Sequence, residues 1–311
     1  MTGTTVEPGR FVAGNGSSGT ADQLTSGSRG RAIRNAVATG AMGVCFAIAM
    51  VPLVWILGTV IVKGHKLLLT REWWYESQRG ITIRRVGGGA YHALIGSLET
   101  GLLCALIAVP LGVLGAIYLV EYGGRGALAR ATTFMVDILT GVPSIVAALF
   151  IYAVWITLLG QQRTGFAVSL ALVLLMVPVV LRSTEEMLRL VPDELREAAF
   201  ALGTPRWRTV MKVVLPTAFS GIVTGVVLGL ARVMGETAPL LILGPYTKAI
   251  NFDPFNGNMA ALPTMINQDR TAVLQPALDR TWAAALTLIL LVLVLNLVAR
   301  TVGHFSRVRG G

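Results

Sequence analysis

TGLLCALIAVPLGVLGAIYLV, residues 100–120, holds 21 residues without one charged side chain. Wound as an α-helix at about 1.5 Å per residue, such a run spans the roughly 30 Å hydrocarbon layer of a bilayer. Five other uncharged runs of 18 or more residues accompany it, at 35–62, 138–162, 164–181, 213–231 and 281–299. Lipid offers no partner to backbone N–H and C=O groups, so only helices and closed barrels cross it. Strands this irregular could not close into a barrel. The expectation is an all-α polytopic membrane protein with six transmembrane helices. Composition agrees, with 54 % of residues hydrophobic and 14 % charged, against about 25 % charged in soluble domains.

The bias of Lys and Arg sets orientation. With six spans both termini share a side. The N-terminal tail, the even-numbered loops and the C-terminus hold 15 basic residues, and the odd loops 10. This places the termini in the cytoplasm. Loop 1, residues 63–85, opposes the bias with six basic residues. Its Trp73, Trp74 and Tyr75 suit a membrane–water interface, which keeps it outside. The net charge of +10 comes from basic residues that flank spans and meet lipid headgroups; it calls for no nucleic acid. Cys45 and Cys104 fall inside spans as small apolar packers. Residues 1–30, rich in Gly, Thr and Ser, read as a disordered cytoplasmic tail. Residues 31–89 hold the first span and its external loop, and 90–311 a core of five spans.

Several chemistries are not signalled. There is no P-loop, no H-E-x-x-H, no G-x-S-x-G and no paired-Cys spacing, and His65, His92 and His304 are scattered. The expectation is a chain that is not an enzyme and binds neither metal nor cofactor itself.

The loop LVPDELREAAFALGTPRWRTVMKVVLP, residues 190–216, reads as two short helices. Leu195, Ala198, Ala199 and Leu202 recur at i, i+3, i+4, i+7 and form one apolar face. Gly203 supplies the stop. Thr204 reads as the N-cap of the second helix and Pro205 as its first residue. Trp207, Val210, Met211 and Val214 repeat the spacing, and Pro216 closes the unit. Two readings are open: a pair of helices lying on headgroups, or a docking element for a cytoplasmic partner. Ala198 and Ala199 favour docking, because small side chains let another surface approach the backbone.

Glu197, Ala198, Ala199, Gly203, Val213, Leu215 and Pro216 fall on the pattern EAA-x3-G-x9-I-x-LP, with Val213 replacing Ile. This resembles the EAA loop of bacterial ABC-importer permeases, which forms a coupling helix on a separate ATPase subunit. IYLVEY (117–122), GVPSIVAALF (141–150), LRSTEEMLRLVPDELREAAFALG (181–203) and GIVTGVVLGLARVMGETAPLL (221–241) together are similar to the PstA-type permeases of phosphate-specific importers. The resemblance covers about residues 90–300. It implies a type I ABC-importer permease fold in a bacterial inner membrane, with 90–311 as the permease core. It also implies a PstC-like second permease, a PstB-like ATPase dimer holding ATP–Mg and a PstS-like phosphate-binding protein outside.

Arg232 and Glu236, in ARVMGETAPLL (231–241), stand out because an ionisable residue inside a bilayer is costly and faces a cavity or partner. Arg232 lies about 24 Å along its span from Pro216 at the helical rise. Snorkelling to the outer headgroups and mutual pairing at i, i+4 are open alternatives. A guanidinium offers forked donors that match an oxyanion and stays charged at any working pH. Given the resemblance, Arg232 is the residue to meet the anion, with Glu236 holding it between substrates or accepting a proton. Gly235 and Pro239 bracket the pair and predict a local loosening of the helix. Arg182 reads from composition as an ordinary anchor near the cytoplasmic boundary; the resemblance makes it a second, inner stop. Ser144 and Thr237 are further hydroxyl donors, and Pro143 is expected to kink the third span. Glu99 is expected near the outer interface and Asp137 near the cytoplasmic start of the third span.

These readings converge on an ATP-driven phosphate importer's permease subunit. The rivals are an ABC permease for sulfate or molybdate, a secondary anion transporter or channel, and a membrane scaffold that senses phosphate through its partners.

Overall fold

The computed structural model describes residues 29–124 and 126–308; the expected tail, 1–30, lies outside them apart from its last two residues. The chain divides into two compact units, Met1–Gly58 and Thr59–Gly311. The described part of the first unit is helical throughout, its side chains almost all exposed. It belongs to α1 (Arg29–Leu68), whose 40 residues reach about 60 Å at the helical rise, twice the hydrocarbon thickness. Cys45, expected to pack, is exposed there.

The second unit is built from α2 (Arg71–Tyr75), α3 (Tyr91–Ile117), α4 (Ala127–Gly141), α5 (Ser144–Ile151), α6 (Gly165–Arg189), α7 (Asp193–Ala201), α8 (Arg206–Thr209), α9 (Leu215–Met234), α10 (Ala238–Leu243), α11 (Leu262–Asp269) and α12 (Gln275–Val308). Among the described residues three segments are wound as π-helix: Tyr118–Tyr122 at the end of α3, Tyr152–Leu158 after α5 and Val210–Val214 between α8 and α9. Among the described residues five helices are long and apolar enough to cross a membrane, and six if the bent pair α4–α5 counts as one span.

That pair corrects the third expected span. Residues 138–162 are not one kinked helix. The chain turns by 109° between α4 and the apolar segment beyond it. The break falls at Val142 and Pro143, both in extended or polyproline-like conformation. A proline has no N–H and its ring collides with the carbonyl four residues back, here Leu139, so a continuous helix gives way. Asp137 consequently sits near the end of α4 rather than at the start of a span.

α6 forms the hub. Fully 61 % of its most apolar stretch is enclosed by protein, against 22 % for Tyr91–Tyr122 and 28 % for the last span. Glycines allow its neighbours to approach closely, as in other membrane bundles. A Cβ on Gly225 of α9 would lie 2.4 Å from Ser183 Oγ, and one on Gly112 of α3 2.8 Å from Val180 Cβ. The contacts fix direction: Gly221 meets Met187, Gly225 meets Ser183 and Gly229 meets Val179, so α9 runs antiparallel to α6. Thr100 and Gly112 of α3 meet Ser169 and Val180, so α3 and α6 run parallel. These directions match the alternation expected of successive spans.

Trp73 is not an interfacial residue. It is wholly buried among Ala90, Ala93, Leu262, Ala283 and Ala284, and its indole N–H donates to Thr287 Oγ1 at 2.9 Å. Tyr75 is exposed as expected. Nearby, Arg280 is 1 % exposed and donates to the carbonyls of Arg85 (2.8 Å) and Gly87 (3.4 Å), with Asp269 at 3.7 Å. It ties residues 82–87 to α12 rather than meeting headgroups. Trp73→Phe removes a buried hydrogen bond and part of a packed ring, and is expected to cost about 1–3 kcal/mol. Thermal unfolding of the purified protein in detergent checks this, with Tyr75→Phe expected to change nothing measurable.

Candidate functional site

Two constellations emerge. The first surrounds the helix breaks. Arg232 is exposed in the last turn of α9. The Gly235 N–H donates to the Arg232 carbonyl (3.2 Å), the Glu236 N–H to that of Val233 (3.1 Å), and the helix then stops. It resumes as α10, with Thr237 at the N-cap position and Pro239 in the first turn. Proline's clash with the carbonyl four residues back, that of Gly235, explains the site of the break. The bracketing Gly and Pro thus do interrupt the helix, and this undoes the i, i+4 pairing. Among the described residues no hydrogen bond or ion pair links Arg232 to Glu236 or to any carboxylate. Ser144 lies at the first position of α5, directly after the other break. α5 and α10 pack on each other, so the short helices beyond the two breaks share one region.

Arg182 is differently placed. Ser183, its neighbour, meets Gly225, seven residues before Arg232 on α9. The two arginines therefore stand about 10 Å apart along the bundle. Arg182 Nη1 donates to Glu185 Oε2 at 2.8 Å, and Nη2 to Asp137 Oδ1 on α4. Glu185, nearly buried, also accepts from Arg189 Nη2 at 2.7 Å. Beside them is a cavity of about 300 Å³ lined by Arg130, Thr133, Asp137, Glu185 and Arg189. In this conformation the forks of Arg182 are committed to carboxylates, whereas Arg232 is free of them.

Glu99 is half-buried within α3, and its Oε2 is enclosed with no hydrogen-bond partner among the described residues.

The second constellation is the loop after α6. Just past the Leu202 C-cap of α7 lies Gly203, whose φ of +74° suits glycine and disfavours L side chains. Thr204 does not cap: Pro205 holds the N-cap position, and no side chain caps α8. Pro216 does not close the unit either. Arg206–Met234 is one continuous 29-residue helix through the π segment. The Leu215 N–H reaches back five residues to the Val210 carbonyl, and this wider winding takes up the missing donor and crowding of Pro216. Ala199, Val210 and Val214 are buried, while Leu195, Ala198, Leu202, Trp207 and Met211 are exposed. Glu197 and Pro216 are exposed, and Leu215 packs on the core formed by Leu188, Val191, Val214 and Ala218. An apolar face of α7 and α8, with Ala198 at its centre, is thus left uncovered by the described residues.

One guanidinium fixes that element to the bundle. Arg196 donates through Nη2 and Nε to Glu121 Oε1 (2.9 and 3.1 Å) and to the carbonyls of Leu188 (2.9 Å) and Val191 (2.7 Å). Sequence reading misses Arg196 and Glu121. The separation of 75 positions hides the pair, and the one signal is a carboxylate directly after the apolar run 100–120.

The comparisons fit this geometry. The family described as "Binding-protein-dependent transport system inner membrane component" matches residues 108–306. "Phosphate transport system permease protein PstA" of Mycobacterium leprae is 56 % identical over 86 % of this chain and 88 % of its own. "Phosphate transport system permease protein PstA 1" of Mycobacterium tuberculosis strain H37Rv is 53 % identical over 86 % of this chain and 87 % of its own. Among solved structures, "a bacterial ABC transporter involved in the import of the acidic polysaccharide alginate" superposes with a TM-score of 0.55 at 16 % identity. It covers 88 % of this chain and 98 % of that one, and shows the all-α, type I importer permease fold. With its family profile matched across most of its length and relatives more than half identical, the chain belongs to the binding-protein-dependent transport system inner membrane components, and among them to the PstA-type permeases.

Proposed function

We propose that this chain is a transmembrane permease subunit of an ATP-driven phosphate importer. The observation that carries the reading is Arg232, an exposed guanidinium at a helix break in a strongly apolar region, with no carboxylate on it among the described residues. The names of the relatives supply the substrate. Arg232 binds phosphate through its forked donors, and Glu236, Thr237 and Ser144 border the same path. Arg182, about 10 Å along, is the inner stop and takes the anion when Asp137 and Glu185 let it go. Glu197, Ala198, Ala199, Gly203, Leu215 and Pro216 belong to the element that docks on the ATPase. Its uncovered apolar face supports that reading, since Ala198 at the centre of the face lets another surface approach the backbone closely.

The partners are a PstC-like permease, a PstB-like ATPase dimer that binds ATP–Mg and a PstS-like phosphate-binding protein. This chain binds no cofactor, and both termini face the cytoplasm of a bacterial inner membrane. Driving an anion inward against a negative interior takes about 2.3 kcal/mol per charge per 100 mV before any concentration gradient. A passive path would leak phosphate out. The test is phosphate uptake into vesicles carrying the assembled importer. Uptake is expected to need ATP on the ATPase side and to be inhibited by arsenate but not sulfate. Equal inhibition by sulfate, or uptake without the ATPase, overturns the reading.

A further inference from the structure

We infer that Arg196 and Glu121 form the joint that transmits movement of the docking element α7 into the membrane helices. The inference rests on the reading that α7 seats on an ATPase subunit. Docking explains why the outer face of α7 is uncovered. It does not explain what makes α3 and α6 move with α7.

The geometry points to Arg196. Its side chain is 13 % exposed and that of Glu121 5 %, so the pair is shielded from water and salt. From one guanidinium, bonds run to the carboxylate at the end of α3 and to carbonyls at the end of α6 and in the turn beyond it. Among the described residues, every side-chain hydrogen bond from α7 to the end of α3 or of α6 is made by Arg196. Carbonyls in the last turn of a helix lack their usual intrahelical partners; that of Leu188 accepts from the Val191 N–H (3.3 Å) and, more closely, from Arg196. Glu121 lies in the π-wound segment Tyr118–Tyr122. Rewinding such a segment as α-helix shifts the register of the residues beyond it by one, so it is a place where a pull on one carboxylate changes the helix. Asp193 also accepts from Arg196 at 3.0 Å, but it is 88 % exposed and contributes little.

Arg196 is thus a positioning residue: it touches neither phosphate nor nucleotide. Lysine keeps the charge but lacks the planar fork that serves a carboxylate and two carbonyls together. The test uses the assembled importer in vesicles, reading phosphate transported per ATP hydrolysed and the stimulation of hydrolysis by loaded binding protein. For Arg196→Gln the complex is expected to purify with its ATPase and to hydrolyse ATP, while phosphate per ATP falls at least tenfold. Arg196→Lys should recover part of that ratio, Glu121→Gln should share the loss, and Asp193→Asn should match wild type. Ala198→Glu, on the uncovered face, separates the two ideas, since it should release the ATPase altogether. If Ala198→Glu keeps the ATPase bound, the docking reading fails. If Ala198→Glu releases it and Arg196→Gln or Glu121→Gln keeps the wild-type ratio, the joint alone is overturned. Should Arg196→Gln not assemble, Glu121→Gln carries the test; failure of both to assemble makes the pair a folding element and overturns the inference.

Discussion

Arg232→Gln is expected to lower phosphate uptake by the assembled importer on the order of a hundredfold while leaving assembly intact. Hydrogen bonds from a charged donor contribute about 1.5–3 kcal/mol each, and every 1.4 kcal/mol is about tenfold. Gln keeps one donor group and loses the charge and the fork. Folding should survive, because Arg232 is exposed and holds no buried carboxylate that the change would strand. Glu236→Gln should have a milder effect, about tenfold or less, since the broken helix separates it from Arg232. Arg182→Gln is a different experiment. It leaves Asp137 and the nearly buried Glu185 short of a cation, so lost uptake should come with a lower unfolding temperature. Uptake and unfolding, measured on the same preparations, distinguish these cases. Normal uptake by Arg232→Gln would move the anion's path elsewhere in the fold.

Gly96→Ala should be the most damaging glycine-to-alanine change among the described residues. A Cβ there would lie 1.9 Å from the carbonyl oxygen of Ala260 and 2.8 Å from Met259 Cγ. The opposing atom is backbone, and that backbone is pinned. The Leu262 N–H donates to Ser97 Oγ at 2.8 Å, and Ala260, Ala261 and Leu262 are all buried. Overpacking costs about 1–3 kcal/mol where neighbours can yield, and here the loop cannot. The expected result is a loss of folded protein during purification, read by size-exclusion chromatography in detergent. Gly58→Ala, where a Cβ meets open space, serves as the control and should purify as wild type.

How much of this architecture is legible in the sequence depends on the range of each signal. Uncharged runs locate the spans because the bilayer acts on every residue of a run alike. The third span defeats that reading, since composition does not register a 109° turn and Pro143 by type signals only a kink. Pro216 misleads in the opposite sense, as a stop, because a preceding π turn can absorb a proline. Trp73 has the residue type of an interface, and Arg280 that of any basic residue flanking a span. Their partners, Thr287 and the carbonyls of Arg85 and Gly87, lie about 200 positions away. Arg232 and Glu236 are found by their charge, while the absence of a bond between them depends on where Gly235 and Pro239 end the helix. The exposed face of α7 is visible in its spacing, and the residue that moors it is not.

The enclosure of α6 has a consequence for the lipid. The side chains that α3, α9 and α12 turn outward are open to acyl chains, whereas most of the apolar stretch of α6 is covered by protein. A bilayer thinner or thicker than these helices makes them tilt, and α6 yields only as far as its packing compels it. Arg232 rides on α9 and Arg182 on α6, so the vertical offset between the two arginines responds to acyl-chain length.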